Sequence, residues 1–83
     1  MNLKLYLVIK STNEGIESVQ AFTNENIAKD ILKDNVESEI FLAKDNNSYD
    51  YCTTAYKNCI RIYYQEGGWT EFSIIEDEVF VEV

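Results

Sequence analysis

Six acids fall within residues 62–83 (Glu66, Glu71, Glu76, Asp77, Glu78 and Glu82), with no lysine or arginine among them. Paired carboxylates perform acid–base chemistry when burial drives their pKa values apart. Here Glu71, Glu76, Asp77, Glu78 and Glu82 are interspersed with Val, Ile and Phe, a pattern that sends several of them into water. Two readings follow: a solvated sheet face, or a surface that meets a basic protein. Glu76-Asp77-Glu78 also offers oxygen ligands to calcium or magnesium, but the spaced Asp/Asn loop with its glycine is missing, so neither metal nor cofactor is expected.

Nucleophilic chemistry has less support still. Cys52 and Cys59 lie seven apart, and the chain has no histidine to activate a thiol or to complete a zinc site. Buried, inert, unpaired thiols are the expectation. Gly67-Gly68 reads as a turn, with no helix behind it to cradle a phosphate. An enzyme is not expected.

The aromatic residues point instead to contacts. Six Tyr, four Phe and one Trp supply large rigid surface, and Tyr and Trp are favoured at protein interfaces. Tyr63 is expected to face outward beside Glu71 and Ser73, and Trp69 to stand at a turn, so these two rings join the five carboxylates as candidate partner-binding residues. Core packing is the competing role for both.

Charge narrows the partners. Residues 1–61 hold nine acids and seven bases, whereas residues 62–83 hold six acids and no base, giving a net charge of -8 overall. Such a surface repels DNA, RNA and anionic lipid, and leaves a basic protein as the complementary partner. No stretch has the length of a membrane span. The start MNLKLYLVIK carries a lysine within its short apolar run, unlike a signal peptide, so a cytoplasmic location is expected.

These residues must be positioned by a single domain, because 83 residues without proline leave no room for two cores. Leu3, Leu5, Leu7 and Ile9 alternate with Lys4, Tyr6, Val8 and Lys10, the period of a strand with its leucine face inward. A turn over Ser11 to Gly15 leads to a second strand at 16–22, in a register pairing Leu7 with Val19 and Leu5 with Ala21. Thr23 or Asn24 caps a helix carrying Ile27, Ala28, Ile31 and Leu32 on one side. The helix ends near Asn35 or runs on through Val36, Ile40 and Ala43; periodicity leaves both open, and it assigns no element to YDYCTTAYK.

From Cys59 alternation resumes. A three-residue loop around Gly67-Gly68 would set Tyr64 beside Phe72 and Ile62 beside Ile74. EVFVEV reads as a last short strand at an edge, where carboxylates discourage pairing with other chains. The expected fold class is α+β: an antiparallel sheet of about five strands with one main helix packed on one face.

The run LKLYLVIK, a short turn, IESVQAFTNENIAKDIL and the closing WTEFSIIEDE together resemble small uncharacterised proteins encoded by bacteriophages and prophages of low-GC bacteria. In these a hairpin precedes a helix that begins in an F-[ST]-x-E phrase, and an acidic strand closes the chain. The resemblance covers about residues 3–34 and 69–78; it implies a mobile-element origin and transfers no activity and no functional residues. The functional expectation is a small acidic protein in the cytoplasm of the host bacterium, inhibiting a basic host protein by occupying a nucleic-acid-binding surface, with an anti-CRISPR or other counter-defence inhibitor as the concrete form. The alternative is a self-associating accessory module, a homodimer without catalytic activity.

Overall fold

The computed structural model describes residues 1–56 and 58–82. It is an α+β fold with strands β1 (Asn2–Thr12), β2 (Gly15–Phe22), β3 (Tyr49–Tyr56), β4 (Cys59–Tyr64) and β5 (Trp69–Phe80), and one helix, α1 (Glu25–Asp45), between β2 and β3. All pairings are antiparallel and the sheet order is β2-β1-β5-β4-β3. No helix is long and apolar enough to cross a membrane among the described residues.

The helix starts where its cap chemistry dictates. The Asn24 side-chain oxygen accepts from the backbone N–H of Asn26 and Ile27, at 2.9 and 3.1 Å, satisfying two donors that the first turn leaves unpaired. Val36 and Ala43 continue the stripe of Ala28 and Leu32, all four buried, and that continuity carries α1 through its full 21 residues rather than stopping at Asn35. It ends at Asp45 with Asn46 as its cap; Asn47 beyond it takes the left-handed conformation (φ 56), while the Ser48 N–H and hydroxyl both donate to the Ala43 carbonyl. The segment YDYCTTAYK, unassigned by periodicity, supplies β3: threonine and tyrosine suit a pleated surface, and β4 pairs with it from Tyr49 to Tyr56.

The core lies between α1 and one sheet face: Val8, Ile62 and Phe72 against Ala28, Leu32 and Val36, ringed by Tyr6, Phe22, Ile60, Tyr64 and Ile74. The face of β1 turned to the helix is therefore Tyr6, Val8 and Lys10. Leu3, Leu5, Leu7 and Ile9 point the other way, opposite to the expectation from alternation. Tyr6 and Val8 make the middle of the second face apolar as well, between Lys4 and Lys10, so the pattern named two classes of position but not which class the helix would cover.

Two registers also differ from expectation, each without exchanging faces. In the first hairpin Leu7 opposes Ala21 and Ile9 opposes Val19, because a two-residue turn (Thr12 opposite Gly15) combines with a bulge between Lys10 and Ser11. Each feature moves the register by one, and the two together preserve side-chain parity. In the second, the three-residue loop is Gln65-Glu66-Gly67, closed by the Tyr64 N–H donating to the Gly68 carbonyl and the Gly67 N–H donating to that of Tyr64, with Gly67 at φ 91. Ile62 consequently faces Thr70 and Ile60 faces Phe72.

The chain does not end in a separate edge strand. WTEFSII and the following EDEVF form one strand, β5, in the middle of the sheet. β4 accompanies it only to Ser73, with the Ile74 N–H bonding the Asn58 carbonyl at 2.9 Å, and β2 accompanies β1 only from Tyr6 onward. Residues 2–5 and 77–80 therefore continue as a two-stranded ribbon beyond the rest of the sheet. The molecule is drawn out to 50 × 23 × 20 Å.

Candidate protein-interaction surface

One layer of helix covers one side of the sheet and leaves the other to solvent. Along the open side run Leu3, Leu5, Leu7 and Ile9 of β1, Val19 and Ala21 of β2, and Ile75 and Val79 of β5, brought into adjacent rows by the β1–β2 and β1–β5 ladders. Val19 is 52% and Ile75 50% exposed. Leu3, Leu5, Leu7 and Ile9 are half-buried, so the stripe is a continuous apolar row with its exposed members on the neighbouring strands.

At one end of the stripe lies an aromatic group around Arg61. Tyr63 stacks on Tyr51, centroids 4.5 Å apart and planes 15° apart, through the β3–β4 ladder. Trp69 pairs with Tyr63 across β4–β5, and the Arg61 guanidinium lies 3.9 Å from the centre of the indole ring. Glu71 stands opposite Arg61 and accepts from its Nε and Nη2 at 3.2 and 3.0 Å. The Trp69 backbone N–H donates to the Asn13 side-chain oxygen at 3.3 Å, tying this cluster to the first turn. Tyr63 and Trp69 are thus brought together on the open face, both half-buried. Glu71, expected beside Tyr63 with its charge on display, is instead paired with arginine. Tyr51 and Arg61 belong to the same group and were missed by reading the sequence, since Tyr51 lies in the stretch whose element was not legible.

The remaining carboxylates divide between faces. Glu76 and Glu78 project from the helix side of the ribbon, and the Lys4 ammonium lies 3.9 Å from Glu76. Asp77 projects from the open side opposite Leu5, and its carboxylate accepts the N–H of Glu78 at 2.9 Å. Glu82 lies past the end of β5, exposed. Glu76, Asp77 and Glu78 flank the part of β5 that has lost β4 as a neighbour, where charge discourages unwanted strand pairing. The acidic ending is therefore a projecting charged tip, with Glu71 separated from it.

Other polar groups form structural contacts. The Tyr64 hydroxyl lies 2.6 Å from Glu39 Oε1 and 2.7 Å from Thr70 Oγ1, joining helix to sheet. Burial, followed by the Glu39 carboxylate, pushes the Tyr64 hydroxyl up to about 12, although Thr70 pulls it down. Lys10 sits between Glu17 at 3.5 Å and Glu39 at 3.9 Å. Lys10 and Glu39 edge an open cleft of about 360 Å³ that Ser18, Gln20 and Asn35 also line; its one lysine is already paired to two carboxylates.

Cys52 is exposed, contrary to the expectation of a buried thiol, and Cys59 is half-buried; both are free. Cys52 lies on β3, one of the two edge strands of the sheet. Cys52 pairs with Ile62 on the helix side and Cys59 with Ser73 on the open side, so the sheet separates the two thiols. Burial raises the Cys59 thiol, as do the hydrogen bond and charge of Glu71, while Arg61 opposes them. Among the described residues, no three acidic or sulfur side chains gather closely enough to hold a metal ion.

Comparison with known proteins finds no matching family model, no similar curated protein and no similar solved structure.

Proposed function

We propose that this chain is a non-catalytic protein-binding module that acts in the bacterial cytoplasm by occupying a basic surface of a host protein. The concrete form is an inhibitor of a nucleic-acid-binding effector, such as an anti-CRISPR or another counter-defence protein of a mobile element. The observation that carries the reading is the segregation of charge. Glu78 and Glu82 are exposed on a tip that extends past the helix-covered body, with Glu76 at its base beside Lys4, and Asp30, Asp34 and Glu37 outnumber the exposed Lys33 on the same stretch of α1. Carboxylates presented in this way substitute for phosphates, and unscreened opposite charge speeds association with a basic partner.

The test is capture by the immobilised protein from a bacterial lysate at about 0.1 M and about 0.5 M salt, with the captured protein then purified and titrated by calorimetry. Replacing Glu76, Glu78 and Glu82 with Lys changes the net charge from -8 to -2 while leaving the Arg61–Glu71 pair intact. The variant is expected to keep its circular dichroism, bind at least about tenfold more weakly at low salt and lose much of its salt dependence. Unchanged affinity at both salts would refute the reading.

A further inference from the structure

We propose that the open sheet face closes on the same face of a second copy, making a symmetric dimer with the two sheets in contact and the two helices outside. This goes beyond the reading above and does not depend on it: a basic target would meet the acidic tip or helix, whereas the dimer uses the apolar stripe.

Three observations select a second copy as the occupant. The first is charge. Among the residues paired across the ladders on this face, the charged ones are Arg61, Glu71 and Asp77, and Arg61 and Glu71 neutralise each other. A basic protein finds little to attract it here. Two copies of a chain of net charge -8 would repel each other if they met through α1 or the tip, but they bring only one uncompensated carboxylate each through this face.

The second is area. A monomer of 9.6 kDa is expected to expose about 5,100 Å². This chain exposes 5748 Å². The surplus, about 650 Å², goes with an elongated chain whose sheet is covered on one side and whose ribbon projects beyond the helix, leaving surface that a second layer would bury. Its radius of gyration of 14.4 Å likewise exceeds the about 12 Å of a compact chain of this length.

The third is shape and composition. The stripe of Leu3, Leu5, Leu7 and Ile9 follows one strand, with Ala21 and Val19 beside Leu7 and Ile9 on one side and Val79 and Ile75 beside Leu3 and Leu7 on the other. Two such surfaces related by a twofold axis interdigitate as the halves of a β-sandwich do, about 10 Å apart. The result is a four-layer helix–sheet–sheet–helix particle with its acidic surfaces outermost.

The test is sedimentation equilibrium of the whole chain at about 0.15 M salt, from about 1 to 100 µM, the range in which an interface of this size associates. A species of twice 9.6 kDa is expected. Ile75→Glu and Val19→Glu change half-exposed side chains, so both are expected to retain the circular dichroism of the folded chain, and each should weaken the dimer at least about tenfold. Phe41→Glu, 70% exposed on the helix, should leave it unchanged. A monomer throughout the range would overturn the proposal and assign the stripe to another apolar partner. A dimer that Phe41→Glu dissociates while Ile75→Glu and Val19→Glu do not would overturn it equally. The Glu76, Glu78 and Glu82 to Lys variant should dimerise normally, so failure of the dimer and failure of the basic-partner reading give different results.

Discussion

Replacing Tyr64 with Phe tests whether α1 is held to the sheet by a polar contact as well as by its apolar stripe. The hydroxyl bonds Glu39 on the helix at 2.6 Å and Thr70 on β5 at 2.7 Å. Thr70 is only 4% exposed, so without Tyr64 its hydroxyl loses a partner in a place water does not reach. Glu39 is less affected, since it remains near Lys10 and partly in solvent. Leaving one buried hydroxyl unsatisfied costs about 1–3 kcal/mol, and about 2 kcal/mol is expected here. For a domain of this size that lowers Tm by about 8–16 °C.

The same bond gives the variant a pH signature. Tyr64 titrates at about 12 in the folded chain against 10.0 when unconstrained, so its contribution is complete below about pH 10 and is lost as pH rises toward 12. Wild type therefore loses up to about 1.4 kcal/mol by pH 11, less with solvent screening of the partly exposed ring, and the variant has no such loss from this position. Urea denaturation at pH 8 and pH 11 measures both effects. The difference between the two proteins should be about 2 kcal/mol at pH 8 and narrow at pH 11. A variant as stable as wild type at pH 8, or a difference that widens with pH, would refute the reasoning.

Two other expectations concern the core and the thiols. Leu32→Asp places an unpaired charge at the centre of the helix–sheet contact, at a cost of several kcal/mol against a total stability of about 5, so circular dichroism should show an unfolded chain at 25 °C; a cooperative melt near that of wild type would show that α1 does not close the core. Cys52 is expected to react with a disulfide reagent near neutral pH faster than Cys59, whose thiol is half-buried and raised by burial and Glu71; equal rates, or an intramolecular disulfide found by mass spectrometry in the native protein, would contradict the geometry.

The sequence alone determined the features that depend on neighbours in the chain. Thr23 or Asn24 with Glu25 behind marks the helix start, and of the two it is Asn24 whose side-chain oxygen reaches the N–H groups two and three residues on. Alternation located most of the strands and the correct parity within each, and a helix plus an antiparallel sheet followed from counting them. What alternation cannot carry is the choice between two apolar faces. Leu3, Leu5, Leu7 and Ile9 are the stronger hydrophobic set on β1, yet the helix covers Tyr6, Val8 and Lys10, because Phe72, Ile62 and Phe22 occupy the same side of the neighbouring strands and α1 packs on their combined surface.

Strand order was equally outside local reach. Nothing in EDEVFVEV indicates that it extends a central strand between β1 and β4; only the long-range ladder from Asn2–Phe80 to Thr12–Thr70 decides that. The candidate site divided in the same way. Exposure of the acids at 76–78 was legible from composition, whereas the neutralisation of Glu71 by Arg61 depends on where the loop turns, and a shift of two residues in that turn replaces one cross-strand partner with another. The open apolar face arises because α1 packs on one side of the sheet and, among the described residues, no second helix packs on the other.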